Sequence, residues 1–278
     1  MTEPNERPAW DGVIEWPVPD RARKPRERGW TMVIDKVLGL HVIDDLMQVA
    51  APAIDVVKLT FGTSAFFGYD LLKEKVRTIV AHGVDCMPGG TFGEVALWQG
   101  TYDRYLERAR ALGFTAMEVS DGTIELDAKT RAEAITRAVK AGFRVLSEVG
   151  KKDPSDAQPM AVLADTVNAD LDHGAFMVIM EAREAGKGVG IYDASGLPKE
   201  AEIDAFLAGV RDPGRIVWEA PLGSQQRYLV LRFGPDVNLG NVAPEDILAL
   251  EALRCGLRGD TLKRAWLADR DYRPRGAG

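Results

Sequence analysis

The chain has 278 residues, 46% hydrophobic and 28% charged, which is enough apolar material for a large core and excludes disordered and collagen-like classes. Its 35 basic and 42 acidic side chains leave a formal net charge of −7, a balance that disfavours nucleic acid as a partner, because duplex binding rests on a basic face. No stretch approaches the roughly 18 continuous apolar residues that cross a membrane, and no apolar segment follows a basic start as in a secretory signal.

Residues 1–28 contain five prolines and no sustained period, so they read as an irregular arm, with Trp10 and Trp16 available to pack on the body. The basic run from Arg21 to Arg28 reads as a solvated lead-in. Residues 29–265 then alternate short β-branched runs with amphipathic stretches, the pattern of parallel βα units, and residues 266–278 form a tail. The first strand is Thr31-Met32-Val33-Ile34, followed by a helix with Val42, Leu46 and Val49 on one face. Ile54 to Leu59 gives a second strand. The helix after it is capped by Asp70, carries Leu72, Val76, Ile79 and Val80 inward, and stops at Gly83. A strand from Val84 to Met87 precedes a helix near Tyr102 to Leu112. Thr115 to Val119 is next, with a helix capped by Asp127 that turns Ala128, Ala132, Ile135 and Val139 inward. Further strands are expected from Phe143 to Val149, Phe176 to Met180, Arg215 to Trp218 and Asp236 to Leu239. Helices are expected around Met160 to His173 and after Pro244, the latter burying Ile247, Leu250 and Leu253. Eight strands, almost all followed by helices, argue for a single (β/α)8 TIM barrel over a doubly wound open sheet.

In such a barrel the chemistry belongs at the C-terminal strand ends. Polar residues cluster there: Asp35-Lys36, Lys58, Pro88-Gly89-Gly90-Thr91, Glu118 with Ser120-Asp121-Gly122, Glu148 with Gly150-Lys151-Lys152, Glu181-Ala182-Arg183-Glu184, Glu219, and Asn238 with Asn241. Ionised groups inside apolar strands are costly unless paired or liganded, so their recurrence on strand after strand points to a site. Lys36, Lys58, Lys151, Lys152 and Arg183 would form a positive pocket in a negative protein and suit a small anionic substrate. Ser224-Gln225-Gln226 opens the helix after strand seven, where free N–H groups meet an anion, and Arg258-Gly259-Asp260-Thr261 reads equally as a cap and turn or as a reach to the same anion. With Asp35, the carboxylates Glu118, Asp121, Glu148 and Glu181 make an all-oxygen set that favours Mg2+ over zinc. No metalloprotease, Walker or nucleophile-elbow pattern is present. Cys86 and Cys255 read as buried thiols in a reducing cytoplasm, and His82 and His173 as helix C-terminal residues.

At these same residues the chain resembles the phosphosulfolactate synthases. The resemblance runs in order from about Gly29 to Leu262. It is carried by Thr31-Met32-Val33-Ile34-Asp35-Lys36, Asp55-Val56-Val57-Lys58, Gly62-Thr63-Ser64, Pro88-Gly89-Gly90-Thr91, Glu118-Val119-Ser120-Asp121-Gly122 and Glu148-Val149-Gly150-Lys151-Lys152. It continues through Glu181-Ala182-Arg183-Glu184, Trp218-Glu219-Ala220-Pro221, Ser224-Gln225-Gln226, Val237-Asn238-Leu239-Gly240-Asn241 and Leu257-Arg258-Gly259-Asp260-Thr261. The resemblance implies a TIM barrel, dependence on Mg2+, and addition of sulfite to phosphoenolpyruvate to give (2R)-2-O-phospho-3-sulfolactate, the first step of a coenzyme M route. It also implies a proton-donating lysine in the Gly-Lys-Lys stretch, best matched by Lys152, with Lys151 and Lys36 beside it. Lys58, Arg183, Ser224, Gln225, Gln226, Asn238, Asn241 and Arg258 are then the expected substrate-binding residues. Thr60-Phe61 departs from the family's Gly-Trp, Phe92-Gly93 from Leu-Phe, and Gly223 stands where a lysine is common. Two alternatives stay open: a related barrel lyase that adds another nucleophile, and a non-catalytic heat-stress-associated relative. The sequence is compatible with a homo-oligomer and leaves the assembly state open.

Overall fold

The computed structural model describes residues 9–19 and 21–268, and the last ten residues of the expected tail lie outside that range. Eight parallel strands run β1 (Thr31–Asp35), β2 (Val56–Leu59), β3 (Asp85–Pro88), β4 (Ala116–Val119), β5 (Arg144–Val149), β6 (Met177–Met180), β7 (Ile216–Glu219) and β8 (Asn238–Val242). They pair in the order β3-β2-β1-β8-β7-β6-β5-β4. The remaining seam, between β3 and β4, is stitched by Thr115. Its N–H donates to Cys86 O at 3.2 Å, and its Oγ1 accepts from Cys86 N at 3.1 Å, so a side chain stands in for one ladder bond. The sheet is thus a nearly closed (β/α)8 barrel.

The helices are α1 (Leu40–Ala50), α2 (Tyr69–Ala81), α3 (Gly90–Trp98), α4 (Tyr102–Leu112), α5 (Ala128–Lys140), α6 (Met160–Asp172), α7 (Glu200–Gly209), α8 (Gly223–Phe233), α9 (Ile247–Arg254) and α10 (Gly259–Ala268). Asp127 caps α5 as expected, its Oδ1 accepting from Thr130 N at 2.7 Å. The expected cap on α2 is displaced: Gly68 takes that place and Asp70 lies in the first turn. On α1 the buried face is Ile43, Met47 and Ala50, one residue on from the expected stripe, and Val42 and Val49 are exposed. On α5 the buried residues are Arg131, Ala134, Ile135 and Ala138, because Arg131 is drawn inward by carboxylates described below. Among the described residues no helix is long and apolar enough to cross a membrane.

Strand residues alternate between two cores. Val33, Val57, Met117, Val145, Val178 and Trp218 face the helices. Met32, Val56, Met87, Ala116, Leu146, Met177, Ile179 and Val217 fill the barrel, floored by Trp30. The side-chain period of two then dictates the next layer. Two residues beyond Val56, Ala116, Leu146, Ile179 and Val217 stand Lys58, Glu118, Glu148, Glu181 and Glu219, all buried. An apolar plug therefore carries a charged layer at its C-terminal mouth.

The described residues from Arg21 to Arg28 close the other end, and here the expectation of a solvated basic run is corrected. Arg21 is buried, its Nε 2.9 Å from Glu251 Oε1 and its Nη1 3.2 Å from Asp236 Oδ1. Arg26 forks onto Asp55, which also accepts from Thr31 N at 2.8 Å. The guanidinium fork matches carboxylate geometry, so these arginines are recruited to acids presented ahead of β2 and β8 and on α9. Trp16 packs under Arg23, and Trp10 remains exposed.

Candidate active site

The charged layer opens into a cavity of about 260 Å3 lined by Lys58, Glu118, Glu148, Lys152, Glu181, Arg183, Glu219 and Asn241, with Gly90 and Thr91 on one wall and Phe61 among its lining. Lys58 Nζ lies 3.1 Å from Glu219 Oε1, 3.5 Å from Glu118 Oε1 and 3.7 Å from Glu148 Oε2. Lys152 Nζ lies 3.2 Å from Glu148 Oε1, 3.6 Å from Glu181 Oε2 and 3.7 Å from Glu94 Oε1. Glu148 thus bridges the two ammonium groups, one oxygen to each.

Five buried carboxylates surround two lysines, an imbalance that sets the protonation pattern. Burial acts to lower Lys58, but Glu118, Glu219, Glu148 and Glu181 overcome it and hold the ammonium well above its ordinary range. Lys152 is raised likewise: burial opposes the shift, and Glu148, Glu181, Glu118 and Glu94 outweigh it. Glu118 is pushed up by burial, against the pull of Lys58 and with the help of the charge on Glu148. Glu181 is pushed up by burial and then by Glu148 and Glu219. Glu148 instead falls below its usual range, because Lys152 and Lys58 overcome its burial. Glu118 Oε2 and Glu181 Oε2 are buried without a hydrogen-bond partner.

Surrounding groups aim this layer. Glu219 Oε2 accepts from Ala182 N at 2.8 Å, and Tyr192 Oη donates to Glu219 O at 3.0 Å. Arg183 N donates to Glu181 Oε1 at 2.6 Å. Phe61, Arg183 and Asn241 are the non-glycine residues with positive φ among those described, and all three line the cavity. Such backbone conformations cost energy and concentrate where function over-determines the chain.

The expected site residues separate into two groups. Lys58, Glu118, Glu148, Lys152, Glu181, Arg183 and Asn241 converge on the cavity. The others are engaged elsewhere or lie outside its lining. Asp35 is on the outward parity of β1, since Met32 and Ile34 take the inward one. Its Oδ2 lies 2.6 Å from Lys75 Nζ, and its Oδ1 accepts from Val37 N and Leu38 N. Lys36 is exposed beside it. Asp121 pairs with Arg131 at 2.9 Å and with Lys151 at 3.1 Å, which takes Lys151 out of the cavity lining too. Gln225 Nε2 donates to Gly186 O and Gly196 O, and Gln226 Nε2 to Ala220 O, so both amides serve backbone. Ser224 is exposed in the first turn of α8, and Arg258 reaches Asp260 at 3.4 Å. Asn238 sits at the opposite end of the barrel. Its Oδ1 accepts from Trp30 N at 3.0 Å and its Nδ2 donates to Gly214 O and Ile216 O.

Two further residues were not anticipated. Glu94, on α3, is buried against Ser120 and the loop after β4. Arg131 binds Asp170 through both Nε and Nη2 and reaches Glu148 O at 2.8 Å. The Gly89-Gly90 stretch reads as a turn in sequence and hides the helix that carries Glu94. For Arg131, only its spacing of three from the buried Ala134 gives a hint.

Among the described residues no three His, Cys, Asp or Glu side chains already stand in a metal-holding arrangement. Glu118 Oε2 and Glu181 Oε2, which accept no hydrogen bond and lie beside ionised Glu148, nonetheless fit a hard cation that keeps waters and takes its remaining ligands from a substrate.

A family model described as (2R)-phospho-3-sulfolactate synthase matches residues 19–260. A phosphosulfolactate synthase of Methanothermobacter thermautotrophicus is 46% identical over 252 residues, covering 90% of this chain and 97% of that protein. One of Methanocaldococcus jannaschii is 43% identical over 237 residues, covering 84% and 94%, and one of Bacillus subtilis is 36% identical over 253 residues, covering 90% and 98%. Among solved structures, a dihydrodipicolinate synthase of Agrobacterium tumefaciens superposes with a TM-score of 0.53 at 13% identity, covering 88% of this chain and 79% of that one. A phosphonopyruvate hydrolase complex with oxalate and Mg2+ also gives 0.53 at 13% identity, covering 87% and 82%. At that identity the two structures speak for the barrel fold alone.

Proposed function

Because the chain belongs to the (2R)-phospho-3-sulfolactate synthase family, we propose that it joins sulfite to C3 of phosphoenolpyruvate, as a Mg2+-dependent carbon–sulfur lyase. The observation that carries this reading is the pair of buried Lys58 and half-buried Lys152, which share Glu148 at the wall of a cavity sized for a small acid.

The sulfite sulfur lone pair forms the bond to C3. The C2–C3 π electrons move through C2 onto the carboxylate, giving an aci-enolate with added charge on oxygen. Cations fixed in a dry site stabilise that charge more than the starting state, which is the condition for catalysis. Lys58 and Arg183 are the groups to hold the anion. Lys152 Nζ then gives a proton to C2 on one face, and the proton brought by bisulfite restores the ammonium. Four carboxylates keep Lys152 charged against the pull of its burial, so the proton is present when the carbon becomes basic. An ammonium gripped this firmly releases its proton only to a strongly basic centre, which an aci-enolate carbon is. Glu118, Glu148 and Glu181 are the residues to hold Mg2+, which when bound would neutralise charge on the substrate's carboxylate and phosphate oxygens. The buried free thiols of Cys86 and Cys255 suit a reducing cytoplasm.

The test is phosphoenolpyruvate with sulfite, with and without Mg2+, with the product read by mass. The adduct mass should appear only with both substrates and the cation. Reaction with a different nucleophile in place of sulfite, followed by phosphorus NMR, would instead identify another lyase of the same barrel.

A further inference from the structure

We infer that Glu94 is a positioning residue that holds Lys152 at its working place, an inference that rests on the role given to Lys152 above. Glu94 lies on α3, 2% exposed, with its hydrogen bonds directed at the loop after β4 and its free side at the lysine. Its Oε1 accepts from Ser120 Oγ at 2.7 Å and stands 3.7 Å from Lys152 Nζ. Its Oε2 accepts from Thr123 N at 3.0 Å and Ile124 N at 2.9 Å.

Those two N–H groups belong to the loop after β4, and that loop in turn grips the loop after β5. Gly122 O accepts from Lys152 N at 3.0 Å, and Asp121 O accepts from Lys151 Nζ at 2.6 Å. A Cβ on Gly122 would come within 2.9 Å of Lys152 Nζ, so the lysine lies directly against this turn. One carboxylate therefore fixes the turn on which Lys152 rests and also faces the ammonium itself. Arg131 braces the far side, pairing with Asp121 at 2.9 Å and reaching Glu148 O at 2.8 Å, but it leaves Thr123 and Ile124 to Glu94.

The experiment compares Glu94→Ala, Glu94→Gln and Lys152→Ala in the full chain, measuring kcat and KM with sulfite and phosphoenolpyruvate, phosphoenolpyruvate binding by calorimetry, and thermal unfolding. Glutamine keeps an acceptor for the two loop N–H groups and a donor for Ser120 Oγ. A reacting group misplaced by about 1 Å costs on the order of 100-fold in rate. Glu94→Ala is thus expected to lower kcat about 100-fold with KM and binding changed by less than about 3-fold, and Glu94→Gln to recover most of kcat. Equal loss of kcat in the alanine and glutamine variants, or a loss in KM alone, overturns the positioning role. So does near-normal kcat in Glu94→Ala while Lys152→Ala is inactive, and that result leaves the lysine assignment standing. Near-normal turnover in Lys152→Ala overturns the lysine assignment itself, and the positioning role with it.

Discussion

Gly90 and Glu118 touch across the cavity wall so closely that no side chain fits between them. A Cβ on Gly90 would fall 2.9 Å from Glu118 Oε1 and 2.4 Å from Ser120 Oγ, distances that force the neighbours to move. Gly90 starts α3, so the helix can lie on the end of β4 only because this position has no side chain. Gly90→Ala should therefore displace Glu118 and lower kcat on the order of 100-fold, while far-UV circular dichroism stays unchanged. Wild-type kcat in this variant would show that Glu118 needs no fixed position.

Lys58 faces three carboxylates in the buried layer at the barrel mouth. Lys58→Met keeps the length of the side chain but leaves Glu118, Glu148 and Glu219 without their shared ammonium. Breaking a buried pair from one side costs about 3–5 kcal/mol. Urea unfolding at pH 7 should show a loss of that order, partly recovered by adding Glu219→Gln, which removes one of the stranded charges. A variant as stable as the parent would mean that the carboxylates are already neutral together.

Much of this layer was legible from period two. Once Val56, Ala116, Leu146 and Val217 are taken as inward, Lys58, Glu118, Glu148 and Glu219 must follow them inward. The same rule should have excluded Asp35, which shares the parity of Val33, a residue packed on the helices. Only its proximity to the strand end suggests it as a metal ligand. The end of β8 was hard to read for another reason. Asn238-Leu239-Gly240-Asn241 lacks the β-branched residues that mark a strand, although the pairing of Glu219 with Gly240 carries the strand through it.

What pairing in space decides was not legible. Lys75 and Glu94 meet partners from other βα units, Arg131 meets Asp170 from the next one, and nothing local in their own helices announces a buried charge. The left-handed backbone at Phe61 and Arg183 is equally hidden, because neither residue type favours it. On α1 the apolar stripe was misjudged by one position, since Val42 and Ile43, or Val49 and Ala50, satisfy the same helical period.

The protonation pattern has a measurable consequence for stability in EDTA. Glu118 and Glu181 have folded pKa values raised above 4.5, first by burial, so the fold keeps protons that the unfolded chain releases. Their stabilising contribution is complete below pH 4.5 and is lost as pH rises toward their folded values, with a slope of up to about 1.4 kcal/mol per pH unit for each group. Glu148 has the opposite sign. Its burial is overcome by Lys152 and Lys58, so its contribution is present above pH 4.5 and lost only as pH falls further. Glu118→Gln should flatten the fall of Tm as pH rises above 4.5. A parallel fall in parent and variant would rule out a proton held on Glu118.

Metal binding should run against the same protons. If Mg2+ takes the oxygens of Glu118 and Glu181, it must displace what they hold, so its affinity rises with pH and binding releases protons. Calorimetry in buffers of different ionisation enthalpy reads that release directly, without any turnover. Identical apparent enthalpies across buffers, together with pH-independent affinity, would remove these two carboxylates from the metal site.

Two asparagines on one strand offer the sharpest separation of scaffold from site. Asn238, at the start of β8, spends its amide on Trp30 N, Gly214 O and Ile216 O, far from the cavity. Asn238→Ala would strand those backbone groups and cost about 1–3 kcal/mol of stability, with kcat and KM unchanged. Asn241, three residues on, lines the cavity with φ 52°, and its buried Oδ1 has no hydrogen-bond partner. Glycine tolerates that backbone, so Asn241→Gly removes the amide without adding strain. One lost polar contact to substrate is worth about 1.4 kcal/mol, or tenfold, which should appear in KM for phosphoenolpyruvate with little change in Tm. The opposite pairing of results, kinetics moved by Asn238 and stability by Asn241, would mean that the chemistry sits at the other end of the barrel.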